Sequence, residues 1–172
     1  MSVTRKMLIY WSAVVCLTAF AWAAGKGILH PEMTVENGSY DKPMATIGAK
    51  PDQPWSATTV SAGVDSKPEP GKPVSMVGEI VDFSCYLQVG KHGEKHRGCG
   101  QKCVQNGNAA GLLTKDGALY MLMAEEHDPR RDGGVDIRSV AADHMGHIVQ
   151  VNGTEASVNG YNAIFVQGLT KK

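Results

Sequence analysis

The chain has 172 residues, of which 42% are hydrophobic and 20% charged, and its 17 basic and 17 acidic residues balance. A chain without net positive charge is not typical of proteins that bind nucleic acid or an anionic membrane surface, so we expect no nucleic-acid partner. The length accommodates one domain of ordinary size with a hydrophobic core.

The N-terminus has the pattern of a secretory signal. Arg5 and Lys6 precede an uncharged apolar run over residues 7–24, which ends in the small-residue pattern Ala21-Trp22-Ala23. This order is typical of a signal peptide with an A-x-A cleavage site. The run also reaches the roughly 17 residues that span a bilayer, so an uncleaved anchor is the alternative. We predict a signal peptide at residues 1–23 and a periplasmic or secreted protein, with membrane association through residues 7–24 as the alternative.

A proline-rich segment follows the signal. It carries seven prolines between residues 25 and 73 and has no sustained hydrophobic period. Proline-rich, polar composition without periodicity is typical of an extended chain. Residues 24–73 are therefore predicted to form an extended, largely unstructured arm, and residues 74–172 the folded domain.

The domain is predicted to be mainly β. Runs rich in β-branched and apolar residues indicate about five strands, at residues 74–83, 111–114, 118–123, 147–155 and 162–169. The pairs Asp116-Gly117 and Asn159-Gly160 supply the positive φ that tight hairpin turns need. Val140 and Ala141 have helix-compatible spacing with Val135, which indicates a short helix before the fourth strand. These elements predict a small five-stranded barrel resembling the oligonucleotide/oligosaccharide-binding (OB) type, with a short helical insertion.

Two histidines and two cysteines follow the first strand at helical spacing. His92, His96, Cys99 and Cys103 lie at offsets of 4, 7 and 11 residues, which places them within about 60° of one helix face. Thiolate and imidazole are the ligands that select zinc or copper, and a separation of three residues within each pair matches known zinc sites.

Cys85, at the end of the first strand, can supply a further ligand to that group. The predicted set is Cys85, His96, Cys99 and Cys103, with His92 as an alternative ligand or as a group that orients one. Asp82 is a candidate for fixing the tautomer of a ligand histidine, although an acid at a strand end usually faces water.

Besides metal binding, the sequence is compatible with two other roles for the cysteines. Exported proteins meet an oxidising compartment, where a disulfide between Cys85 and either Cys99 or Cys103 would leave one odd thiol. Alternatively, neighbouring basic residues can lower a thiol pKa, which would suit a thiol-disulfide redox protein that uses Cys99 and Cys103.

Three consecutive segments carry a resemblance to known proteins. They are Val-Gly-Glu-Ile-Val-Asp-Phe-Ser-Cys-Tyr-Leu at residues 77–87, the His and Cys pairs, and the hairpin Gly-Leu-Leu-Thr-Lys-Asp-Gly-Ala-Leu-Tyr. Together they resemble a group of small secreted bacterial proteins that are largely uncharacterised. They share the Cys-Tyr-Leu and paired-cysteine segments on a small β-barrel. The resemblance covers about residues 74–169 and implies the domain boundaries and the choice of cysteines. It implies no activity.

These observations lead to one functional hypothesis. We expect an exported, non-catalytic domain that binds a zinc or copper ion through Cys85, His92 or His96, Cys99 and Cys103. The alternatives are a thiol-disulfide redox protein and an interaction module whose cysteines form a structural disulfide.

Overall fold

A computed structural model describes residues 35–49, 71–124 and 137–166. The predicted signal peptide or anchor lies outside the described residues, as do parts of the predicted arm (24–34 and 50–70), the stretch 125–136 and the last six residues. Within the described ranges, no helix has the length and apolar character needed to span a bilayer.

The described elements are six strands, three short α-helices and two 3₁₀ helices. In chain order they are a 3₁₀ helix at Val35–Asn37, β1 Thr46–Ile47, β2 Gly71–Asp82, α1 Phe83–Val89, a 3₁₀ helix at Glu94–His96, α2 Arg97–Gln105, β3 Ala110–Thr114, β4 Leu119–Ala124, α3 Ile137–Asp143, β5 Ile148–Val158 and β6 Tyr161–Val166.

The last five strands close into a barrel. They pair in the order β5-β2-β3-β4-β6, and β6 pairs back onto β5. All these pairings are antiparallel except that between β4 and β6, which is parallel. The prediction of a small OB-like barrel with a short helical insertion is confirmed.

The long strand β2 pairs with strands on both of its sides, which the barrel closure requires. Gly78 of β2 pairs with Thr114 of β3 on one side and with Val149 of β5 on the other. A Cβ atom at this position would lie 2.7 Å from the carbonyl oxygen of Leu113, so only glycine allows the strands to approach this closely.

Both predicted hairpin turns are present. Gly117, between β3 and β4, has a φ of 87°. Asn159 and Gly160, between β5 and β6, have φ of 52° and 84°. Two consecutive positive φ values are what a two-residue hairpin turn requires, and Asn-Gly is a favoured pair for it.

The barrel interior forms the core, and helices α2 and α3 pack together against it. The side-chain amide of Gln101 in α2 donates to the carbonyl of Ala142 in α3 at 3.1 Å. Met145, directly after α3, is buried and bridges to Ile80 of β2. The largest fully buried apolar side chains are Ile80, Val81, Val104, Leu112, Met145, Val149, Val151, Ile164 and Val166.

Part of the predicted arm packs on the barrel. β1 pairs in parallel with β5, and Ile47 is buried in the core. Asn37 is also buried, and its side-chain amide donates to Glu94 at 3.0 Å. Arg97 donates to the amide oxygen of Asn37 in turn. Residues 35–49 therefore contact the segment that carries the histidines and cysteines.

Candidate metal centre

Asp82 forms the junction between β2 and α1. It is fully buried, and its Oδ1 accepts hydrogen bonds from the backbone N–H groups of Ser84 and Cys85 at 3.0 and 3.2 Å. This is an N-cap, in which a side-chain oxygen satisfies the free N–H groups of the first helical turn. The side-chain amide of Asn108 donates to both carboxylate oxygens at 3.4 and 3.3 Å. The carboxylate is thus held rigidly beside Cys85.

His96 reaches the same site from the segment before α2. The preceding turn begins at Gly93, whose φ of 76° favours glycine and whose N–H donates to the buried carboxylate of Glu79. His96 is only 7% exposed, and its Nε2 is buried without a hydrogen-bond partner. Leaving such an atom unpaired costs about 1–3 kcal/mol. A ligand at Nε2 would remove that cost.

The donor atoms of Asp82, Cys85 and His96 form one group. One ligand atom from each residue lies within 4.8 Å of the other two. Zinc bonds of about 2.0–2.3 Å in a tetrahedron put ligand atoms roughly 3.3–3.8 Å apart, so the three atoms need to close by only about 1 Å around an ion. The structure therefore has a candidate metal-binding cluster made of one carboxylate, one thiol and one imidazole.

Two further thiols lie next to this group. Cys99 and Cys103 are one turn apart on α2, so their side chains are neighbours on the helix surface. Cys99 and Asp82 are both close enough to the thiol of Cys103 to raise its pKa. Cys103 is half-buried, whereas Cys99 is exposed. The Asp82 carboxylate thus has the thiol of Cys85 within 4.8 Å and acts electrostatically on that of Cys103.

The half-buried thiols are held in their protonated form. The pKa of Cys103 is raised to about 11, mainly by partial burial, then by the neighbouring thiol of Cys99 and then by the charge of Asp82. The pKa of Cys85 is also raised, mainly by partial burial and then by Asp82, while Lys91 acts in the opposite direction. At neutral pH both residues are thiols, and a metal ion would have to displace their protons.

His92 lies outside the helix that the spacing predicted. The expectation of one helix from His92 through Cys103 is wrong, because Gly93 breaks it and α2 begins only at Arg97. The His92 Nδ1 lies 2.9 Å from a carboxylate oxygen of Glu79, and its ring contacts Tyr86 edge-on at 5.9 Å. The residue is not part of the Asp82, Cys85 and His96 group.

Asp82 is the donor that the sequence interpretation undervalued. It was expected to face water or to orient a histidine, and it is instead fully buried with a ligand atom in the group. The local signal for it was an aspartate that precedes a helix and lies three residues before a cysteine, since an N-cap aspartate points its oxygen at the first helical turn.

No disulfide joins the cysteines of the described residues. Cys85, Cys99 and Cys103 are all free thiols. The three thiols are therefore available as ligands in this structure.

Comparisons with known proteins leave the site to be interpreted from its own geometry. No family model matches this chain, and no curated protein or solved structure matches it.

Proposed function

We propose that this protein is an exported, non-catalytic domain that binds one zinc ion through Asp82, Cys85, His96 and Cys103. The observation that carries the proposal is the buried group of three donor atoms together with the unpartnered Nε2 of His96. The signal-like N-terminus supports export.

A cation in the group would balance its electrostatics. Burying a carboxylate away from water is costly unless the charge is paired. The hydrogen bonds to Asp82 come from two backbone N–H groups and the side-chain amide of Asn108, and the thiols of Cys85 and Cys103 lie nearby. None of these donors carries a formal charge. A divalent ion would supply the missing positive charge and at the same time a partner for His96.

The mixed donor set favours zinc over copper(I). Copper(I) prefers soft thiolate and thioether ligands, whereas zinc accepts carboxylate, imidazole and thiolate together. We take Cys103 as the fourth ligand because its half-buried thiol lies near enough to Asp82 to be influenced by its charge, although it is outside the group of three donor atoms. Four protein ligands are typical of zinc sites without a catalytic water, which supports a non-catalytic role.

The thiol-redox alternative is less well supported. Reactive cysteines have lowered pKa values because the thiolate is the nucleophile. Here the pKa of Cys85 is raised and that of Cys103 is about 11. Burial and the adjacent carboxylate thus disfavour the thiolate at neutral pH in the absence of a cation.

The test is a zinc titration of the reduced protein, produced from the full-length chain, with a competing chromophoric chelator and native mass spectrometry. We expect one zinc per chain, and at least a hundredfold weaker binding in Asp82→Asn. Asparagine retains an oxygen that can cap α1, so the variant removes the charge while keeping the fold. The matched control is Asp116→Asn, at an exposed turn position, which should bind zinc as the wild type does.

Three outcomes would contradict the proposal. They are absence of stoichiometric zinc in the wild type, equal affinity in Asp82→Asn, and a preference for copper(I) that survives the loss of the Asp82 charge. The last result would indicate a site formed by the thiols alone.

A further inference from the structure

Two thiols lie beside the group of three donor atoms. Asp82, Cys85 and His96 form the group, and Cys99 and Cys103 follow on α2. Tetrahedral zinc takes four ligands, so with Cys103 as the proposed fourth ligand the thiol of Cys99 is a fifth donor. Its exposure distinguishes it from the other four.

Cys99 is the donor at the surface. Asp82 and His96 are buried, Cys85 and Cys103 are half-buried, and Cys99 is exposed. The side chains thus form a gradient from the protein interior to solvent.

Cys99 is nevertheless close to the half-buried thiols. It lies one helical turn from Cys103 on α2 and is near enough to Cys103 and Cys85 to raise the pKa of both. A metal ion bound by Cys99 at the surface would therefore have the thiol of Cys103 as its nearest inner neighbour. The two thiols form a short path between solvent and the buried group.

We propose that Cys99 is an exchange ligand through which zinc enters and leaves, so that the domain takes up the ion from a carrier and hands it on. This inference rests on the proposed zinc site. Zinc has no geometric preference from its d electrons and can add a fifth ligand, so one ligand can join before another leaves.

The exchange step balances without electron transfer. The Cys99 thiol loses its proton to solvent as its sulfur bonds to zinc, and the Zn–S bond to Cys103 breaks as that sulfur takes up a proton. Zinc remains divalent. A donor group of the carrier then replaces the remaining protein ligands in turn, and each released thiolate is protonated.

The charge around Cys99 indicates the chemistry of the carrier. Lys102 is exposed and lies three residues from Cys99 on α2, so the two side chains are neighbours. Lys91, which precedes α2, is also exposed and is near enough to the thiol of Cys85 to act on its pKa. A cationic rim favours carriers that present an anionic thiolate or carboxylate donor.

The test is the rate at which the zinc-loaded protein, produced from the full-length chain, transfers its ion to an anionic chromophoric chelator in stopped flow. In the wild type we expect a rate that rises linearly with chelator concentration. In Cys99→Ser the protein should still carry one zinc, while the rate falls at least tenfold and becomes independent of chelator concentration. The control Gln105→Ser, at an exposed α2 position on another face, should match the wild type.

Four other results would each contradict the exchange role, the proposed function or the nature of the carrier. An unchanged rate in Cys99→Ser overturns the exchange role. Loss of stoichiometric zinc in Cys99→Ser also overturns it, because Cys99 would then be a resident ligand; zinc binding by Asp82, Cys85 and His96 would stand, with Cys99 in place of Cys103. Absence of zinc in the wild type rejects the proposed function itself. A rate for Lys102→Glu equal to that of the wild type would exclude the anionic carrier.

Discussion

Replacing His96 with leucine would separate the metal-binding role of this residue from a role in folding. Its Nε2 is buried without a partner, and its side chain makes no capping hydrogen bond at the start of α2. An unpaired buried polar atom lowers the free energy of unfolding by about 1–3 kcal/mol. The different shape of an apolar side chain of similar volume usually lowers it by less than about 1.5 kcal/mol. The metal-free variant should therefore be as stable as the wild type or more stable by about 1 kcal/mol.

With zinc bound, the wild type should be more stable than His96→Leu. A ligand present at about a hundred times its Kd stabilises the native state by about 2.7 kcal/mol. For a domain of this size, about 1 kcal/mol shifts the Tm by roughly 4–8 °C, so zinc should raise the wild-type Tm by about 10–20 °C. His96→Leu removes one of the ligands, and we expect its Tm to be insensitive to zinc.

The assay is thermal unfolding followed by circular dichroism under reducing conditions, with added zinc and with chelator. His144→Gln is the matched control, because this histidine is half-buried beside His147 and not in the donor group, and it should retain the zinc-dependent shift. The reasoning is refuted if His96→Leu loses more than about 2 kcal/mol without metal, or if its Tm still rises with zinc.

Three further measurements test other features of the structure. Gly98→Ala should raise the free energy of unfolding by about 0.5–1 kcal/mol, since its Cβ meets nothing within 4 Å. Gly100→Ala, also in α2, should lower it by about 1–3 kcal/mol in the same urea titration, because its Cβ would lie 2.8 Å from the sulfur of Met145. Burial, then the charges of neighbouring Arg97 and His144, lower the pKa of His147 below its ordinary 6.5. The unfolded chain therefore binds more protons, and stability should fall as the pH drops below about 6.5 and less so in His147→Gln. Since the pKa of Cys103 is about 11, zinc must displace its proton, and competition titrations between pH 6 and 8 should show affinity rising by about tenfold per unit for each thiol proton released.

Several features of the fold follow from local sequence. The Asp116-Gly117 and Asn159-Gly160 pairs specify their turns because few other residues adopt positive φ without strain. The strands follow from β-branched and apolar composition, and the spacing of Val140 and Ala141 indicated the helix that the structure places at Ile137–Asp143. These signals are short-range, so the order of the strands along the sequence and the barrel class could be predicted without knowledge of any distant contact.

Ligand identity at the site depends on contacts that are distant in sequence. The cysteines were recognisable because their chemistry and their odd number stand out in a chain whose N-terminus predicts export. Which histidine joins them was decided by Gly93, whose positive φ ends the helical spacing that connected His92 with Cys103.

The burial of Asp82 illustrates the same limit. From the residue pattern alone, this carboxylate was predicted to face solvent at the end of a strand. In the folded chain, the pairing of β2 with β3, the start of α1 and the side chain of Asn108 enclose it. A carboxylate becomes a costly buried charge, and hence a metal ligand candidate, only when several elements exclude water from it together.

Thus the sequence by itself determined the strands, the turns and the stretch of chain that carries the thiols, because these depend on neighbours within a few residues. Tertiary structure alone decided that Asp82 and His96 are buried beside the half-buried Cys85 while Cys99 stays exposed. Burial is a property of the packed barrel and its helices, and no short segment of the chain determines how much water will reach a given side chain.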